Sequence, residues 1–180
     1  MKSRELLFNG FLWVIAFVLV SGCTTSEEYK RKHELSNIRV HIESDSQADK
    51  SSAISVIRSN PVRFNIDREP VLDEHSVVAA SILEQLGGFV IDVQFDRRGS
   101  WKLEGITVVN KGKRLAIHSY FGEDRWLAAP LIPGKNSTGH LVFTPDCTRE
   151  EAERIVRGLN NTARKLQLKE NWPFPAPIDK

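Results

Sequence analysis

The sequence predicts an α+β fold, a two-layer sandwich in which two main helices lie on one face of a mostly antiparallel sheet. Short segments that alternate apolar and polar residues recur along the chain, and this period of two is typical of strands with one buried face. Two longer segments, over residues 101–109 and 149–166, repeat their apolar residues every three to four positions, as amphipathic helices do.

The sheet is predicted from short segments bounded by turn-forming residues. These segments are 38–42, 53–58, 62–66, 89–95, 114–120, 125–129 and 140–143. The clearest is 89–95, whose odd-numbered residues are all apolar and share one face. Pro70 ends the third strand because proline has no N–H to donate to a neighbouring strand. Gly87 and Gly88 predict a hairpin turn before the fourth.

Capping residues predict where helical structure begins. Asp73 is expected to cap a single helical turn over residues 73–80. Thr148 and Glu151 have the spacing of a capping box, in which each side chain accepts a hydrogen bond from the other residue's N–H. The last helix is therefore expected to begin at this pair.

The helix over 101–109 has signals at both ends. Gly99 is expected to break the preceding strand, and Ser100 to cap the helix. Asn110 and Gly112 are expected to end the helix, because both residue types tolerate the left-handed backbone conformation found there.

The first 22 residues have the composition of a secretory signal peptide. Lys2 and Arg4 give a positive start, and the apolar stretch over 6–20 is uninterrupted only across 11–20. Ten helical residues span about 15 Å, whereas a bilayer core needs about 20 residues. The stretch is therefore too short for a good permanent membrane span.

A cysteine stands where cleavage is expected. Residues 19–23 have the sequence Leu-Val-Ser-Gly-Cys, which resembles the lipobox of bacterial lipoproteins. The resemblance implies cleavage before Cys23 and attachment of acyl chains to that residue, and several acyl chains together give stable anchoring. The alternative is an uncleaved N-terminal anchor, and both interpretations place the rest of the chain outside the cytoplasm. In lipoproteins of bacteria with two membranes, an aspartate directly after the cysteine commonly signals retention in the inner membrane. This sequence has Thr24 at that position, which favours the outer membrane.

The sequence then predicts three further segments. Residues 23–37 are a polar, lipidated tether, residues 38–168 form the α+β domain, and residues 169–180 are a Pro-rich tail. The tail alternates prolines with Trp172 and Phe174, which favours the polyproline II conformation. Three interpretations of the tail are open. It is a plain terminus, a strap that lies across the domain, or a segment that binds a partner.

A spaced set of residues in the domain matches a known family. The set comprises Gly99, Leu103, Thr107, Asn110-Lys111-Gly112, Leu115-Ala116-Ile117 and Ala129-Pro130, with Glu69-Pro70-Val71-Leu72, Ala80 and 89–95 upstream and Glu150-Glu151-Ala152 and Leu159 downstream. It resembles the first periplasmic domain, the P1 head, of SecD, a subunit of the protein-export accessory complex. The resemblance covers about residues 62–161 and implies a ferredoxin-like α+β head.

Two departures limit what this resemblance implies. SecD has several membrane spans that couple proton flow to movement of the head, and this sequence offers no counterpart, so motor activity is not implied. The glycine-rich approach to the last helix is replaced here by Phe143-Thr144-Pro145-Asp146-Cys147. The residues that match are those expected to support the fold.

Composition and motifs argue against several function classes. The 180 residues carry a formal charge of +2, and without the leader 23 basic and 22 acidic side chains remain, a net charge of about +1. Nucleic acid is therefore not expected as a partner. The five histidines lack the neighbours of a metal site, so no metal or cofactor is expected. Catalytic residues are not expected either, although Cys147 or the acidic run at His75 could serve an enzyme.

The expected function is that of a lipid-anchored cell-envelope protein, facing the periplasm, with a non-catalytic binding or structural domain. Its partners are the membrane, through Cys23, and an envelope protein or polypeptide. The candidate partner contacts are Arg125, Trp126 and Trp172. The alternative is an accessory factor in protein export across the envelope.

Overall fold

The structure of the protein is a computed structural model that describes residues 26–45, 51–57 and 60–170. The chain divides into two units, Met1–Glu34 and Leu35–Lys180. In the first unit, residues 26–33 form helix α1. The second unit contains all the strands and the remaining helices of the described residues. No helix in the described ranges is both long and apolar enough to cross a membrane.

The described residues of the second unit form nine strands, two α-helices and one 3₁₀ turn. The strands are β1 (Asn37–Ile42), β2 (Ser51–Val56), β3 (Val62–Asp67), β4 (Leu72–Asp73), β5 (Val77–Gln85), β6 (Gly88–Phe95), β7 (Leu115–Tyr120), β8 (Asp124–Ala128) and β9 (His140–Phe143). The 3₁₀ turn is Glu74–Ser76, and the helices are α2 (Arg97–Val109) and α3 (Arg149–Glu170).

All described strand pairs are antiparallel, and the predicted α+β sandwich is confirmed. The strands form three hydrogen-bonded sheets: a four-stranded sheet in the order β4-β1-β7-β8, a three-stranded sheet in the order β5-β6-β9, and the β2-β3 ribbon. Apolar residues from the two larger sheets and from both helices form one hydrophobic core. Ile117 of β7, Leu103 of α2 and Ile155 of α3 are fully buried in it.

The turn capped by Asp73 is shorter than predicted. Asp73 accepts a hydrogen bond from the His75 N–H at 3.2 Å, as expected of a cap. The helical turn then ends at Ser76, and the prediction of helix through residue 80 is wrong, because Val77 begins β5. Val77 and Ala80 are buried in register with β6, so pairing with that strand overrides any local preference for a turn.

Helix α2 begins earlier than predicted, and its cap is Asp96 and not Ser100. The Asp96 carboxylate accepts a hydrogen bond from the Gly99 N–H at 2.6 Å. Gly99 therefore lies inside the first turn of the helix and does not break the strand. A Cβ at this position would lie 2.8 Å from the Cβ of Ser76, so glycine allows the helix to approach the 3₁₀ turn.

The buried face of α2 consists of Gly99, Leu103 and Thr107. The Thr107 hydroxyl donates to the Leu103 carbonyl at 2.7 Å, which satisfies this buried polar group within the helix. After the helix, Gly112 has a φ of 84°, the left-handed conformation expected there. Asn110 is the C-cap of the helix, as predicted, but its φ of −110° lies outside the left-handed region.

Candidate functional site

The structure places two of the four predicted site residues side by side. Arg125 and Trp126 are consecutive residues of β8. Cys23 and Trp172 lie outside the described residues, so lipidation of the one and partner contact through the other stay predictions. The geometry around β8 therefore defines the candidate site.

Strand β8 forms one edge of the four-stranded sheet. Trp126 lies opposite His118 of β7, and no strand is paired with the other side of β8 in the part of the chain that the structure describes. The pairing shifts register between Ile117 and His118, and the Leu127 carbonyl accepts a hydrogen bond from the Asp146 N–H at 2.7 Å. An edge strand presents backbone donors and acceptors to which an extended peptide can add.

Two cavities lie along this edge, and we call them together the β8 trough. The first, of about 230 Å³, is lined by Ser55, Ile57, Pro61, Asp124, Arg125 and Trp126. The second, of about 440 Å³, is lined by Ile57, Leu127, Ala128, Ala129, Pro130, Thr144, Pro145 and Asp146. Ile57 borders both cavities and has a φ of 69°, which is rare for a β-branched residue. A residue held in such a conformation costs free energy and recurs at binding sites.

The Trp126 ring packs between two histidines. Its centroid lies 4.8 Å from that of His118 and 5.5 Å from that of His41, both in edge-on geometry. His118 pairs with the Asp124 carboxylate, and His41 Nδ1 lies 2.8 Å from the Asp67 carbonyl. Burial is the main cause that lowers the pKa of His41, because it disfavours the charged form of the imidazole. Trp126 is thus half-buried and held rigidly beside the trough.

Arg125 is largely withdrawn from solvent. Its side chain is 12% exposed, with Nη2 3.0 Å from Glu151 Oε2 and Nη1 3.7 Å from Glu123 Oε2. Its guanidinium lies 5.1 Å from the centroid of the Phe121 ring. Burial alone would lower the pKa of Arg125, but Glu151 and Glu123 act together in the opposite direction and the pKa is raised. The charge of Arg125 is used within the domain, which leaves Trp126 and the trough as the surface for a partner.

The described residues show no arrangement typical of metal-ion binding. No group of three or more His, Cys, Asp or Glu side chains among them is placed to hold a metal ion. Cys147 packs against the hydrophobic core. At β8 the described surface offers backbone hydrogen bonding and apolar contact.

Comparison with known proteins finds solved structures with a similar fold. No protein-family model and no curated protein sequence matches the chain. A solved structure of SecDF, described as a membrane component that enhances protein export, matches with a TM-score of 0.54 and 19% identity over 76% of this chain and 67% of that one. The fold is SecD-like. SecDF in its super-membrane-facing form matches with a TM-score of 0.53 and 19% identity, over 76% of this chain and 20% of that one.

The structural likeness confirms the fold that the SecD P1 resemblance implied. Three of the matching residues, Gly99, Leu103 and Thr107, form the buried face of α2. The trough, in contrast, was not predicted from the sequence. It combines Ile57, which follows β2, with the loop at Pro145, and no local sequence signal connects the two.

Proposed function

We propose that this chain is a lipid-anchored protein of the bacterial cell envelope whose SecD-like head binds an extended polypeptide at the β8 trough, without catalysis. The observation that carries the proposal is an edge strand flanked on its open side by two cavities. Strand addition gains affinity from backbone hydrogen bonds, while pockets beside the strand select side chains. The second cavity is lined mainly by apolar and proline residues, which suits aliphatic side chains.

The anchor supports the same proposal. Acyl chains on Cys23 hold the protein at the membrane, and a flexible tether of this length has a span of roughly 20 Å. The head would then face the periplasm close to the membrane surface, at the outer membrane. Mass spectrometry of membrane-extracted protein tests this part. The expected result is a chain that begins at Cys23 with added acyl mass, and Cys23→Ser should abolish both cleavage and the added mass.

Polypeptide binding is tested by filling the trough. Thr144 is exposed and borders the second cavity, so Thr144→Arg should block it while leaving the core intact. The matched control is Ser81→Arg, at an exposed position on β5 in another sheet. A photo-reactive residue at Asp124 should cross-link polypeptides in cells, and Thr144→Arg should reduce the yield several-fold. Equal cross-linking yields in Thr144→Arg and Ser81→Arg would refute binding at the trough.

A second candidate function is an accessory role in protein export. The observation that favours it is the structural likeness to SecDF, which is described as enhancing protein export. If this function is correct, depletion of the protein should slow export of secreted proteins, and Thr144→Arg should reproduce the defect. If depletion leaves export rates unchanged while cross-linking at the trough persists, the protein binds polypeptide for another purpose.

A further inference from the structure

Helix α2 has an apolar stripe on its outer face. Trp101, Val108 and Val109 are 61%, 54% and 82% exposed, and Gly105 lies between them. These positions follow a spacing of four, three and one residues, which places them on one side of a helix. The opposite side is the buried face described above, so α2 is apolar on both sides. We call the set of these four residues the α2 stripe.

Gly105 has no steric reason to be glycine within the described domain. A Cβ added there would meet no atom within 4 Å, whereas one at Gly99 or Gly158 would collide with Ser76 or Ser36. A mid-helix glycine costs about 1 kcal/mol relative to alanine. Glycine at an exposed position between apolar residues is the pattern expected where another segment lies directly on the helix backbone.

We propose that the α2 stripe is the docking site for the chain's own C-terminal segment, residues 171–180, which places Trp172 and Phe174 against Gly105 and Val108. The segment starts in the right place. Leu166 of α3 lines the same cavity, of about 520 Å³, as Arg98 and Lys102 of α2, and α3 continues for four residues to Glu170. The C-terminal segment therefore leaves α3 next to the first turns of α2.

The segment has the length and chemistry that the stripe requires. Ten residues in polyproline II conformation span about 31 Å, and the stripe from Trp101 to Val109 is about 12 Å long. Three prolines, two aromatic residues and no charge between 171 and 178 make the segment apolar and stiff. Stiff proline-aromatic segments dock on apolar surfaces with little loss of conformational entropy.

Charge argues against a second copy of the chain on the same surface. Basic residues flank the stripe at both ends, Arg97 and Lys102 at the start and Lys111 and Lys113 after the helix. A two-fold axis through Gly105 would bring Arg97 of one copy near Lys113 of the other. Like charges at an interface oppose association, whereas residues 171–178 of the C-terminal segment carry no charge and meet no such repulsion. This inference does not depend on the proposed function.

Disulfide trapping in the full chain tests the proposal. In a background that carries Cys23→Ser and Cys147→Ser, Gly105→Cys is paired with Phe174→Cys, and the control pairs Leu86→Cys with Phe174→Cys. Leu86 is fully exposed at the β5-β6 turn, near Glu84, whose carboxylate pairs with Arg149 at the far end of α3. We expect the first pair to form an intramolecular disulfide at least about tenfold faster. Equal rates, or disulfide-linked dimers in place of the intramolecular bond, would overturn the proposal.

A second measurement covers the case in which Gly105→Cys itself obstructs docking. The indole N–H resonance of Trp101 should shift in Trp172→Ser and in Phe174→Ser, because each variant removes a ring from its surroundings. Leu86→Ser is the matched control and should leave the resonance in place. A Trp101 resonance that is unchanged in both tail variants would show that the segment does not lie on the stripe.

Discussion

Arg125 on β8 and Glu151 on α3 form an ion pair with Nη2 and Oε2 3.0 Å apart. The same carboxylate oxygen accepts a hydrogen bond from the Thr148 N–H at 2.7 Å, and the Thr148 hydroxyl accepts one from the Glu151 N–H at 3.2 Å. One carboxylate therefore completes the capping box of α3 and ties that helix to the edge strand. The candidate binding edge is held in place by the helix that closes the core.

The pair predicts a dependence of stability on pH. The bond to Arg125 is the largest cause that lowers the pKa of Glu151 below its ordinary value of 4.5. The stabilisation is complete above that value and is lost as the pH falls through the lowered pKa. Glu151→Gln should reduce the free energy of unfolding by about 2 kcal/mol at pH 7, the scale of a hydrogen bond to a charged group. Denaturant unfolding at a series of pH values measures the effect.

The control for this prediction is Glu150→Gln. Glu150 is the neighbouring residue and is exposed in the same first turn of α3, so it reports the effect of removing a negative charge there. The difference between the two variants should shrink as the pH falls below 4.5 and through the lowered pKa of Glu151. Equal loss of stability in both variants at pH 7 would contradict the role assigned to the pair.

Gly158 is expected to resist substitution. A Cβ there would lie 2.2 Å from the Ser36 Oγ and 2.7 Å from the Ser36 backbone nitrogen. Gly158→Ala should therefore destabilise the domain by about 1–3 kcal/mol through overpacking, although alanine normally favours a helix. Thermal unfolding should show a lowered midpoint. Gly134→Ala is the control, since a Cβ at Gly134 meets nothing within 4 Å, and it should leave the midpoint nearly unchanged.

The cap of α2 gives a direct comparison between two adjacent candidates. Asp96→Ala removes the acceptor for the Gly99 N–H and should cost about 1 kcal/mol, a typical value for an N-cap. Ser100 only donates to the Phe95 carbonyl at 3.3 Å, so Ser100→Ala should cost less. Urea unfolding of both variants measures the difference. A larger loss of stability in Ser100→Ala than in Asp96→Ala would show that Ser100 is the cap, as predicted from the sequence.

His41 predicts a second pH range in which stability changes. Because burial lowers its pKa from 6.5, the unfolded chain binds a proton that the folded chain does not, between pH 6.5 and the lowered value. Stability therefore falls as the pH drops through this range, by up to about 1.4 kcal/mol per pH unit. His41→Gln should flatten the profile between pH 5 and 7. His75→Gln, at a side chain that is 68% exposed, is the matched substitution, and an equal flattening of the profile in both variants would contradict the role of burial at His41.

Features set by neighbouring residues could be predicted from the sequence. The capping box at Thr148 and Glu151 formed as expected, because both hydrogen bonds join residues three apart. The α3 face that begins with Ala152 and Ile155 is buried, because a period of 3.6 residues determines which side chains share one side of a helix. The hairpin before β6 also formed, at a glycine with a φ of 88°.

Local signals failed where two of them competed. Ser100 and Asp96 are both capping residues, and Asp96 is the cap because the helix starts one turn earlier, where Gly99 can approach Ser76. Similarly, the local sequence placed Val77 in a helical turn, but in the structure Val77 pairs with Phe95 and belongs to a strand. In both cases the deciding contact is with a residue about 20 positions away in the chain, Ser76 for Gly99 and Phe95 for Val77, which the local sequence does not reveal.

The sequence by itself determined the α+β class, most of the strands and the faces of the helices, since these depend on residues within a turn or two of one another. Tertiary structure formed the trough beside β8, where Ile57 and Pro145 line the same cavity, and it paired Arg125 with Glu151 inside the domain. It also decided that Trp101 stays exposed on α2. Each of these depends on how elements far apart in the chain pack, and burial, not local preference, determines which side chains remain available to a partner.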